Sequence, residues 1–217
     1  RVLQSIRDEH EVIPLIERWR ELNQLTKTYL DVLPALVDEE SRIHTTFVQA
    51  VASTGRLSST NPNLQNVPVR TPLGREIRGC FEAAPGNVLL AADYSQVELR
   101  VLAHVADEPV LKEIFIRGED VHTATAREVF QVDEADIDAG MRSKAKMINY
   151  GIVYGLTDYG LADRLNIPRE EAKLFIDAYL ARFDRVAAFM AQTIEQAAEQ
   201  GYVTTLFGRR RTIPELR

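Results

Sequence analysis

Apolar residues recur at helical spacing along most of the chain, with polar residues between them. The spacing predicts a helical N-terminal stretch up to about residue 38 and another helix from about residue 96. Six more helices are predicted, at roughly 108–117, 121–130, 141–154, 157–165, 168–182 and 184–200.

Three other stretches have the composition of β-strands. Residues 43–50 are rich in β-branched and aromatic side chains. Residues 77–83 and 88–94 flank Pro85-Gly86-Asn87, which predicts a hairpin. Because the second of these stretches is continuously apolar until Asp93, it is predicted to be a buried strand that ends in a carboxylate.

Residues 202–213 predict a further β-hairpin, which turns at Gly208. The order of elements is then helices, strands, a long helical segment and strands again. This order predicts an α+β fold whose antiparallel sheet is interrupted by a large helical subdomain.

The predicted helix over residues 141–155 is the most informative segment for function. Its side chains Arg142, Lys146, Tyr150 and Tyr154 are spaced four apart, so they share one broad face. The opposite face is apolar and carries Met141, Ala145, Ile148 and Ile152. Two cations followed by two aromatic rings suit a ligand with an anionic end and a flat end, such as a nucleoside triphosphate. A surface helix with solvated cations and half-buried tyrosines has the same spacing.

Composition limits the class of protein. A hydrophobic content of 45% and a charged content of 27% are ordinary for a globular protein. No apolar run approaches the roughly 20 residues that span a bilayer, so no membrane association is expected. Cys80 is the only cysteine, which excludes an intramolecular disulfide and a cysteine-based zinc site. We expect a cytoplasmic, monomeric protein.

The net charge of −6 is unevenly distributed. Residues 108–140 hold nine acidic and three basic side chains, which account for the surplus. Residues 42–82 instead hold five arginines against two glutamates, and residues 209–217 hold four arginines against one glutamate. Because phosphate binding depends on the local field, these two basic stretches are compatible with a nucleic-acid partner.

Five motifs in order along the chain carry a resemblance. They are Thr54-Gly-Arg-Leu-Ser-Ser-Thr-Asn-Pro-Asn-Leu-Gln-Asn66, Asp93-Tyr-Ser-Gln-Val-Glu-Leu-Arg100, Asp120-Val-His-Thr-Ala-Thr-Ala-Arg-Glu-Val-Phe130, Arg142-Ser-Lys-Ala-Lys-Met-Ile-Asn-Tyr-Gly-Ile-Val-Tyr-Gly155 and Gly201-Tyr-Val-Thr-Thr-Leu-Phe-Gly-Arg-Arg210. Together they resemble the family A DNA polymerases, the DNA polymerase I type, over essentially the whole chain. The first motif lies in a long polar loop, residues 54–68, of the kind that is usually functional or disordered in compact domains.

The resemblance implies a division into subdomains and an activity. Residues 1–38 would be the helical end of the thumb, 39–106 the first part of the palm, 107–200 the helical fingers, and 201–217 a hairpin returning to the palm. The activity would be template-directed DNA synthesis in replication or repair. The partners would be primer–template DNA and deoxynucleoside triphosphates (dNTPs).

For catalysis, the resemblance implies that Asp93 and the backbone carbonyl of Tyr94 bind magnesium. Two Mg²⁺ ions would lie beside the primer terminus, one lowering the pKa of its 3′-hydroxyl and the other neutralising charge on the leaving pyrophosphate. Lys146 is a candidate proton donor to that pyrophosphate.

The same resemblance assigns the nucleotide and DNA contacts. Glu98 would exclude a ribose 2′-hydroxyl, although a carboxylate in the first turn also favours the helix dipole. The implied nucleotide-binding residues are Gln96, Glu98, His122, Arg142, Lys146, Tyr150 and Tyr154. The implied DNA-binding residues are Arg56, Asn63, Gln65, Asn66, Arg209 and Arg210. Because many family members have phenylalanine at the position of Tyr150, weaker discrimination against dideoxynucleotides is expected.

One departure from the family pattern affects the expected activity. The family's second catalytic carboxylate lies in a His-Asp-Glu turn, and no such tripeptide occurs in this sequence. We therefore expect a partial polymerase domain, with a metal site that is incomplete by itself. Two alternatives stay open: a fragment that binds nucleotide or primer–template without turnover, and a related single-subunit RNA polymerase.

Overall fold

The computed structural model describes residues 2–216, and only the backbone of residues 4, 5 and 216. The chain divides into two compact units, one ending at Ala91 and the other beginning at Ala92. The subdomain boundaries expected from the resemblance stay predictions.

The first unit begins with helices, as the periodicity predicts. Helices α1 (Val2–Ser5) and α2 (Val12–Leu25) are followed by a π-helical turn, Thr26–Leu30, and a 3₁₀ turn, Pro34–Leu36. One face of this region contributes to a core whose buried members are Leu25, Tyr29, Leu33, Val67 and Ile77.

The predicted strand over residues 43–50 is confirmed in part. Only β1 (Thr46–Val48) is a strand, and it pairs antiparallel with β2 (Ser58–Thr60). The partner strand β2 lies inside residues 54–68, which the sequence predicts to be an irregular loop. A 3₁₀ turn, Leu64–Asn66, lies in the same stretch, so this loop is partly ordered by its own backbone.

The strand predicted over residues 77–83 is wrong. Helix α3 (Pro72–Gly79) covers its first half, and no strand follows it there. The Thr71 hydroxyl accepts a hydrogen bond from the Gly74 N–H at 3.2 Å, and Pro72 occupies the first helical position. These are strong helix-start signals, and they outweigh the local β-propensity because Ile77 still reaches the core from the helix.

The buried strand predicted over residues 88–94 is also wrong. The segment has no regular secondary structure, and Val88, Leu89 and Leu90 are 86%, 70% and 90% exposed. A strand needs a neighbour to satisfy its backbone groups, and no described strand pairs with this segment. Asp93 is therefore not the end of a buried strand in this structure.

The second unit follows the predicted helical pattern closely. Its helices are α4 (Val97–Val105), α5 (Pro109–Ile116), α6 (Val121–Phe130), α7 (Ala139–Val153), α8 (Asp158–Leu165), α9 (Arg169–Arg182) and α10 (Asp184–Gln200). The strands β3 (Tyr202–Thr204) and β4 (Arg210–Thr212) form the predicted hairpin. The core contains Leu99, Leu111, Val121, Ile148, Leu161, Tyr179, Phe183 and Val186.

Side-chain caps explain where several of these helices begin. Asp120, Asp138 and Thr157 each accept a hydrogen bond from a backbone N–H in the first turn of α6, α7 and α8. At the end of α10, Gly201 adopts a left-handed conformation with φ of 74°, which favours glycine.

The fold is therefore mostly helical, with two small antiparallel sheets of two strands each. The prediction of an α+β fold is confirmed at that level, while a larger interrupted sheet is not seen among the described strands. No helix in residues 2–216 is both long and apolar enough to cross a membrane.

Candidate functional site

The shared face predicted for α7 is confirmed. Arg142 and Lys146 are exposed, Tyr150 is half-buried and Tyr154 is 60% exposed at the end of the helix. Ala145, Ile148 and Ile152 are buried on the opposite face, within the core. Packing of the apolar face thus fixes the direction in which the two cations and two tyrosines point.

The helix ends are also fixed locally. The Asp138 carboxylate accepts a hydrogen bond from the Met141 N–H at 2.7 Å, which starts α7 one turn before Arg142. Gly155 has φ of 68°, so the chain turns immediately after Tyr154. The face therefore occupies nearly the whole helix.

Arg142 is held by Asp120 from the start of α6. The guanidinium donates to both carboxylate oxygens, at 2.7 and 3.2 Å. Asp120 also accepts from the Thr123 N–H at 2.8 Å, so one carboxylate caps α6 and pairs with α7. Burial opposes ionisation of Asp120, but the hydrogen bonds from Arg142 and Thr123 outweigh it and lower its pKa to about 2.

His122 lies beneath this face and is 3% exposed. Its Nδ1 is 3.2 Å from the Asn149 Nδ2, and its ring packs at a tilt against Tyr150 with centroids 5.7 Å apart. Burial lowers the pKa of His122, so the ring is neutral at pH 7. The structure thus brings His122 to the same helix that carries Lys146 and Tyr150.

Glu98 and Tyr154 also meet. The Tyr154 hydroxyl donates to the Glu98 Oε1, which joins the first turn of α4 to the end of α7. Gln96, the residue before α4, adopts a left-handed backbone with φ of 53°, which is uncommon for residues other than glycine. Among the predicted nucleotide-binding residues, Gln96 and Glu98 therefore lie at one helix start, and Glu98 reaches α7.

The predicted metal ligands lie in an exposed segment just before α4. Asp93 and Tyr94 are both exposed, and in residues 2–216 Asp93 makes no hydrogen bond or ion pair. A carboxylate and a carbonyl are donors of the type that magnesium prefers. However, no group of three His, Cys, Asp or Glu side chains that could hold a metal ion occurs in the described part of the chain. The donor type fits magnesium, but the donor number does not complete a site.

The predicted DNA-binding residues of the first unit are exposed, namely Arg56, Asn63, Gln65 and Asn66. Two of them stabilise the loop. The Asn63 Oδ1 accepts from the Gln65 N–H at 3.1 Å and from the Ser59 hydroxyl at 2.9 Å. The Gln65 amide donates to the Leu57 carbonyl at 3.3 Å. Hydrogen bonds within the turn therefore account for Asn63 and Gln65, in addition to any contact that they make with DNA.

The β3–β4 hairpin presents the other two predicted DNA contacts. Arg209 and Arg210 are exposed, and the Arg210 guanidinium lies over the Tyr202 ring at 4.3 Å from its centroid. The turn exposes Phe207 almost completely, at 95%. No sequence-based prediction concerned Phe207, although an apolar residue next to Gly208 and three arginines is a visible signal.

Three further residues of the α7 site were missed by sequence reasoning: Asp120, Thr125 and Asn149. Asp120 could have been identified as a helix cap, because aspartate directly before a helical pattern predicts one. Asn149 was harder to identify, because its only sequence signal is a polar side chain between Ile148 and the apolar end of the helix. Their pairing with Arg142 and His122 depends on how α6 packs on α7.

The Asp120–Arg142 pair gives a pH-dependent prediction. Because its folded-state pKa of about 2 lies below the ordinary 3.8, Asp120 stabilises the fold above about pH 4, and this contribution is lost as the pH falls toward 2. Asp120→Asn is expected to lower the free energy of unfolding by about 1 kcal/mol near pH 6, a value reduced for the partial exposure of the pair. The difference between the two proteins should shrink below about pH 4.

Urea titrations between about pH 3 and 6 measure this difference. Asp136→Asn, at an exposed aspartate, is the matched control and should leave the pH dependence unchanged. An Asp120→Asn protein that loses stability in acid as steeply as the unmodified chain would contradict the prediction.

Comparison with known proteins decides the family. The family model for DNA polymerase family A matches residues 1–217. The chain belongs to DNA polymerase family A. The resemblance carried by its motifs is thereby confirmed.

Similar curated proteins come from several bacteria. The DNA polymerase I of Deinococcus radiodurans is 48% identical over 215 residues, which is 99% of this chain and 22% of that protein. The thermostable DNA polymerase I of Thermus filiformis is 49% identical over 215 residues, 99% of this chain and 26% of that protein. The DNA polymerase I of Geobacillus stearothermophilus is 48% identical over 217 residues, 99% of this chain and 25% of that protein. The chain thus spans about a quarter of the length of these relatives.

A solved structure agrees with these relatives. The POL domain of Pol1 from M. smegmatis, in complex with DNA primer-template and dNTP, matches with a TM-score of 0.88 and 42% sequence identity. The match covers 99% of this chain and 38% of that one. The fold of this chain is therefore that of part of a family A polymerase domain.

Proposed function

We propose that this chain carries the nucleotide-binding face of a DNA-directed DNA polymerase. In template-directed synthesis, deoxynucleoside monophosphates are transferred from dNTPs to a primer 3′-hydroxyl. The observation that supports this most directly is the α7 face, on which Arg142, Lys146, Tyr150 and Tyr154 point away from the core. Membership of DNA polymerase family A gives this face its expected ligand.

The proposed roles follow the chemistry of the side chains. Arg142 and Lys146 bind the triphosphate, because a guanidinium and an ammonium both form charge-assisted hydrogen bonds with phosphate oxygens. His122 is a phosphate contact below them. Tyr150 stacks on the sugar and base, Tyr154 lies at the template base, and Gln96 and Glu98 line the sugar. Arg142 is paired with Asp120 in this structure. To bind a nucleotide, its guanidinium must either contact Asp120 and the phosphate together or leave Asp120 for the phosphate.

Catalysis by a family A polymerase requires metal ions. We propose that the Asp93 carboxylate and the Tyr94 carbonyl hold magnesium together with phosphate oxygens and water. When bound, the metal would stabilise negative charge at the reacting phosphate. Lys146 supplies a proton to the leaving pyrophosphate. The donors present on this chain leave most of the coordination sphere to other groups.

The remaining proposals concern DNA and subdomains. Arg56 contacts the minor groove at the primer terminus, where acceptor positions are alike in every correct base pair. The other proposed DNA contacts are Asn63, Gln65, Asn66, Arg209 and Arg210. The solved relative in complex with primer-template and dNTP supports these partners. In the same scheme, residues 1–38 belong to the thumb, 39–106 and 201–217 to the palm, and 107–200 to the fingers.

Nucleotide binding without turnover is the second candidate for these 217 residues. It is favoured by the exposed position of Asp93 and by the lack of a three-residue metal cluster in the described part of the chain. An RNA polymerase activity is disfavoured by the family match and by Glu98, whose proposed position excludes a ribose 2′-hydroxyl.

Two measurements on the 217-residue chain test the proposal. Calorimetric titration with dATP and with ATP should show binding that prefers dATP. Primer extension with Mg²⁺ then separates polymerase from binding-only function, with the Geobacillus stearothermophilus enzyme as the positive control. No measurable dATP binding would refute the proposed site, and a preference for ATP would favour the ribonucleotide alternative.

Tyr150→Phe tests the assignment of the sugar contact. The Tyr150 hydroxyl is proposed to lie where a nucleotide 3′-hydroxyl would bind, so its removal should raise the preference for dATP over dideoxy-ATP. One hydrogen bond is worth about 0.5–1.5 kcal/mol, which corresponds to about a two- to tenfold change in the affinity ratio. Competition titrations with the two nucleotides measure the ratio. Tyr159→Phe removes an exposed hydroxyl from α8 and should leave it unchanged, whereas an unaltered ratio in Tyr150→Phe would contradict the assignment.

A further inference from the structure

A fully buried polar network joins α6 to α7 behind the nucleotide-binding face. The Asn149 Nδ2 lies 3.2 Å from the His122 Nδ1 and 3.0 Å from the Thr125 Oγ1, and the Thr125 hydroxyl donates to the Asn149 Oδ1 at 3.2 Å. Asn149 and Thr125 have no exposed surface. Burying three polar side chains is costly unless each is hydrogen-bonded, and an apolar trio would pack here without that constraint.

We propose that Asn149 is a positioning residue that holds His122 in the tautomer with its proton on Nε2, so that Nε2 donates a hydrogen bond to the triphosphate. This inference rests on the proposed nucleotide site, on which Asn149 acts only through His122. Asn149 itself has no exposed surface, so it would act on a ligand only through His122.

The tautomer follows from the contact at Nδ1. An amide N–H that points at a ring nitrogen needs a lone pair there, so a neutral imidazole must carry its proton on the other nitrogen, Nε2. Phosphate oxygens only accept hydrogen bonds, so Nε2–H is the form that favours binding. If the amide were reversed, its oxygen would select the Nδ1–H tautomer and leave a repulsive lone pair on Nε2.

Thr125 keeps the amide in place. Its hydroxyl contacts both amide heavy atoms of Asn149 from the preceding helix, which restricts rotation of the side chain. The charged groups around His122 act in opposite directions: Asp120 raises its pKa, whereas Arg142 and Lys146 lower it in addition to burial. Because the ring is neutral, the choice of tautomer decides which nitrogen can donate.

Nitrogen-15 NMR of the histidine ring measures the tautomer in the unmodified chain. The 217-residue chain has four histidines, and the His122 signals are assigned by their loss in His122→Gln. At about pH 7.5 the expected result is an unprotonated Nδ1 and a protonated Nε2. A dominant Nδ1–H form, or an even mixture of the two, would overturn the proposal.

Asn149→Leu, of similar size, then tests the consequence for binding. The variant should show mixed His122 tautomers. Because only the Nε2–H fraction can donate to phosphate, an even mixture should reduce the affinity for dATP about twofold. In a His122→Ala background the same substitution should cause no further loss of affinity. An equal loss in both backgrounds would mean that Asn149 acts through general packing, and would overturn the proposal.

If Asn149→Leu does not fold, Thr125→Val provides the second variant, because it removes only the hydroxyl that holds the amide. It should shift the tautomer ratio in the same direction by a smaller amount, and an unchanged ratio would count against the proposal. The nucleotide site and the role of Asn149 can fail independently. Failure of the unmodified chain to bind dATP refutes the proposed function, whereas dATP binding with an Nδ1–H ring refutes only the role of Asn149.

Discussion

Lys146→Ala is expected to weaken the binding of dATP by about 10- to 100-fold. Lys146 lies on the exposed face of α7, one turn after Arg142 and one turn before Tyr150, and its ammonium group is proposed to contact the triphosphate. A hydrogen bond to a charged group contributes about 1.5–3 kcal/mol, and about 1.4 kcal/mol corresponds to a tenfold change in affinity. Isothermal titration of the 217-residue chain with dATP measures the change.

The helix offers a matched control two residues away. Lys144→Ala removes the same charge from the same helix, but Lys144 lies outside the four-residue spacing of the binding face. Its affinity for dATP should stay within about twofold of the unmodified chain, apart from a small general effect of charge. If both lysine variants lose affinity equally, the triphosphate responds to net charge and the face proposed on α7 is wrong.

The helices could be predicted because their signals are local. Six predicted helices between residues 107 and 200 begin and end within about two residues of the observed ones. The spacing of apolar residues predicts the helices themselves. Asp120 and Asp138 mark the starts of α6 and α7, and Gly201 marks the end of α10, and each can be identified from a few neighbouring residues. The same locality explains the shared face of α7, which needs only the helical period.

The two strand predictions were wrong for different reasons. Residues 88–94 have a strong apolar pattern, yet the described chain offers no strand to pair with their backbone. Residues 77–83 have a mixed pattern that was settled by the cap at Thr71 and by Pro72. For residues 88–94 the missing strand partner is non-local, whereas for residues 77–83 a local helix-start signal six residues upstream outweighs the β-propensity.

In the candidate site, too, the features set by local sequence could be predicted and those set by packing could not. The spacing of Arg142, Lys146, Tyr150 and Tyr154 predicted one surface, and the motifs added His122 and Glu98 to it. The partners of these residues could not be predicted, because Asp120 and Asn149 meet them only when α6 and α7 pack together. Family resemblance identifies which residues bind a ligand more readily than it identifies those that hold them in position.

Another contact of this non-local kind lies at Glu108, in the core of the second unit. The side chain is 1% exposed, and its two oxygens accept hydrogen bonds from the Val110 N–H and the Arg185 N–H, each at 3.1 Å. Glu108 thereby caps α5, of which it is the N-cap residue, and also the first turn of α10. The residue at the N-cap of α10, Phe183, has no side-chain oxygen to do so.

A negative charge at two helix N-termini is favourable, because both helix dipoles and the unpaired N–H groups point toward it. The charge of Glu108 also raises the pKa of Tyr179, in addition to the larger effect of burial. Glu108 thus joins the start of α5 to Arg185 in α10, 77 positions later in sequence, within the unit that carries α7. Its loss should affect the stability of the scaffold without removing any group that is proposed to contact nucleotide or DNA.

Glu108→Ala is therefore expected to lower the free energy of unfolding by about 3 kcal/mol, the sum of two lost caps and the void left by a buried side chain. Urea unfolding measured by circular dichroism gives this value. Glu108→Gln keeps an acceptor oxygen and most of the volume, so it should lose about half as much. Glu113→Ala removes an exposed carboxylate paired with Arg117 on the same helix, and should cost no more than about 1 kcal/mol. If Glu108→Ala were no more destabilising than Glu113→Ala, the two helix starts would not depend on Glu108, and solvent would have to satisfy their N–H groups instead.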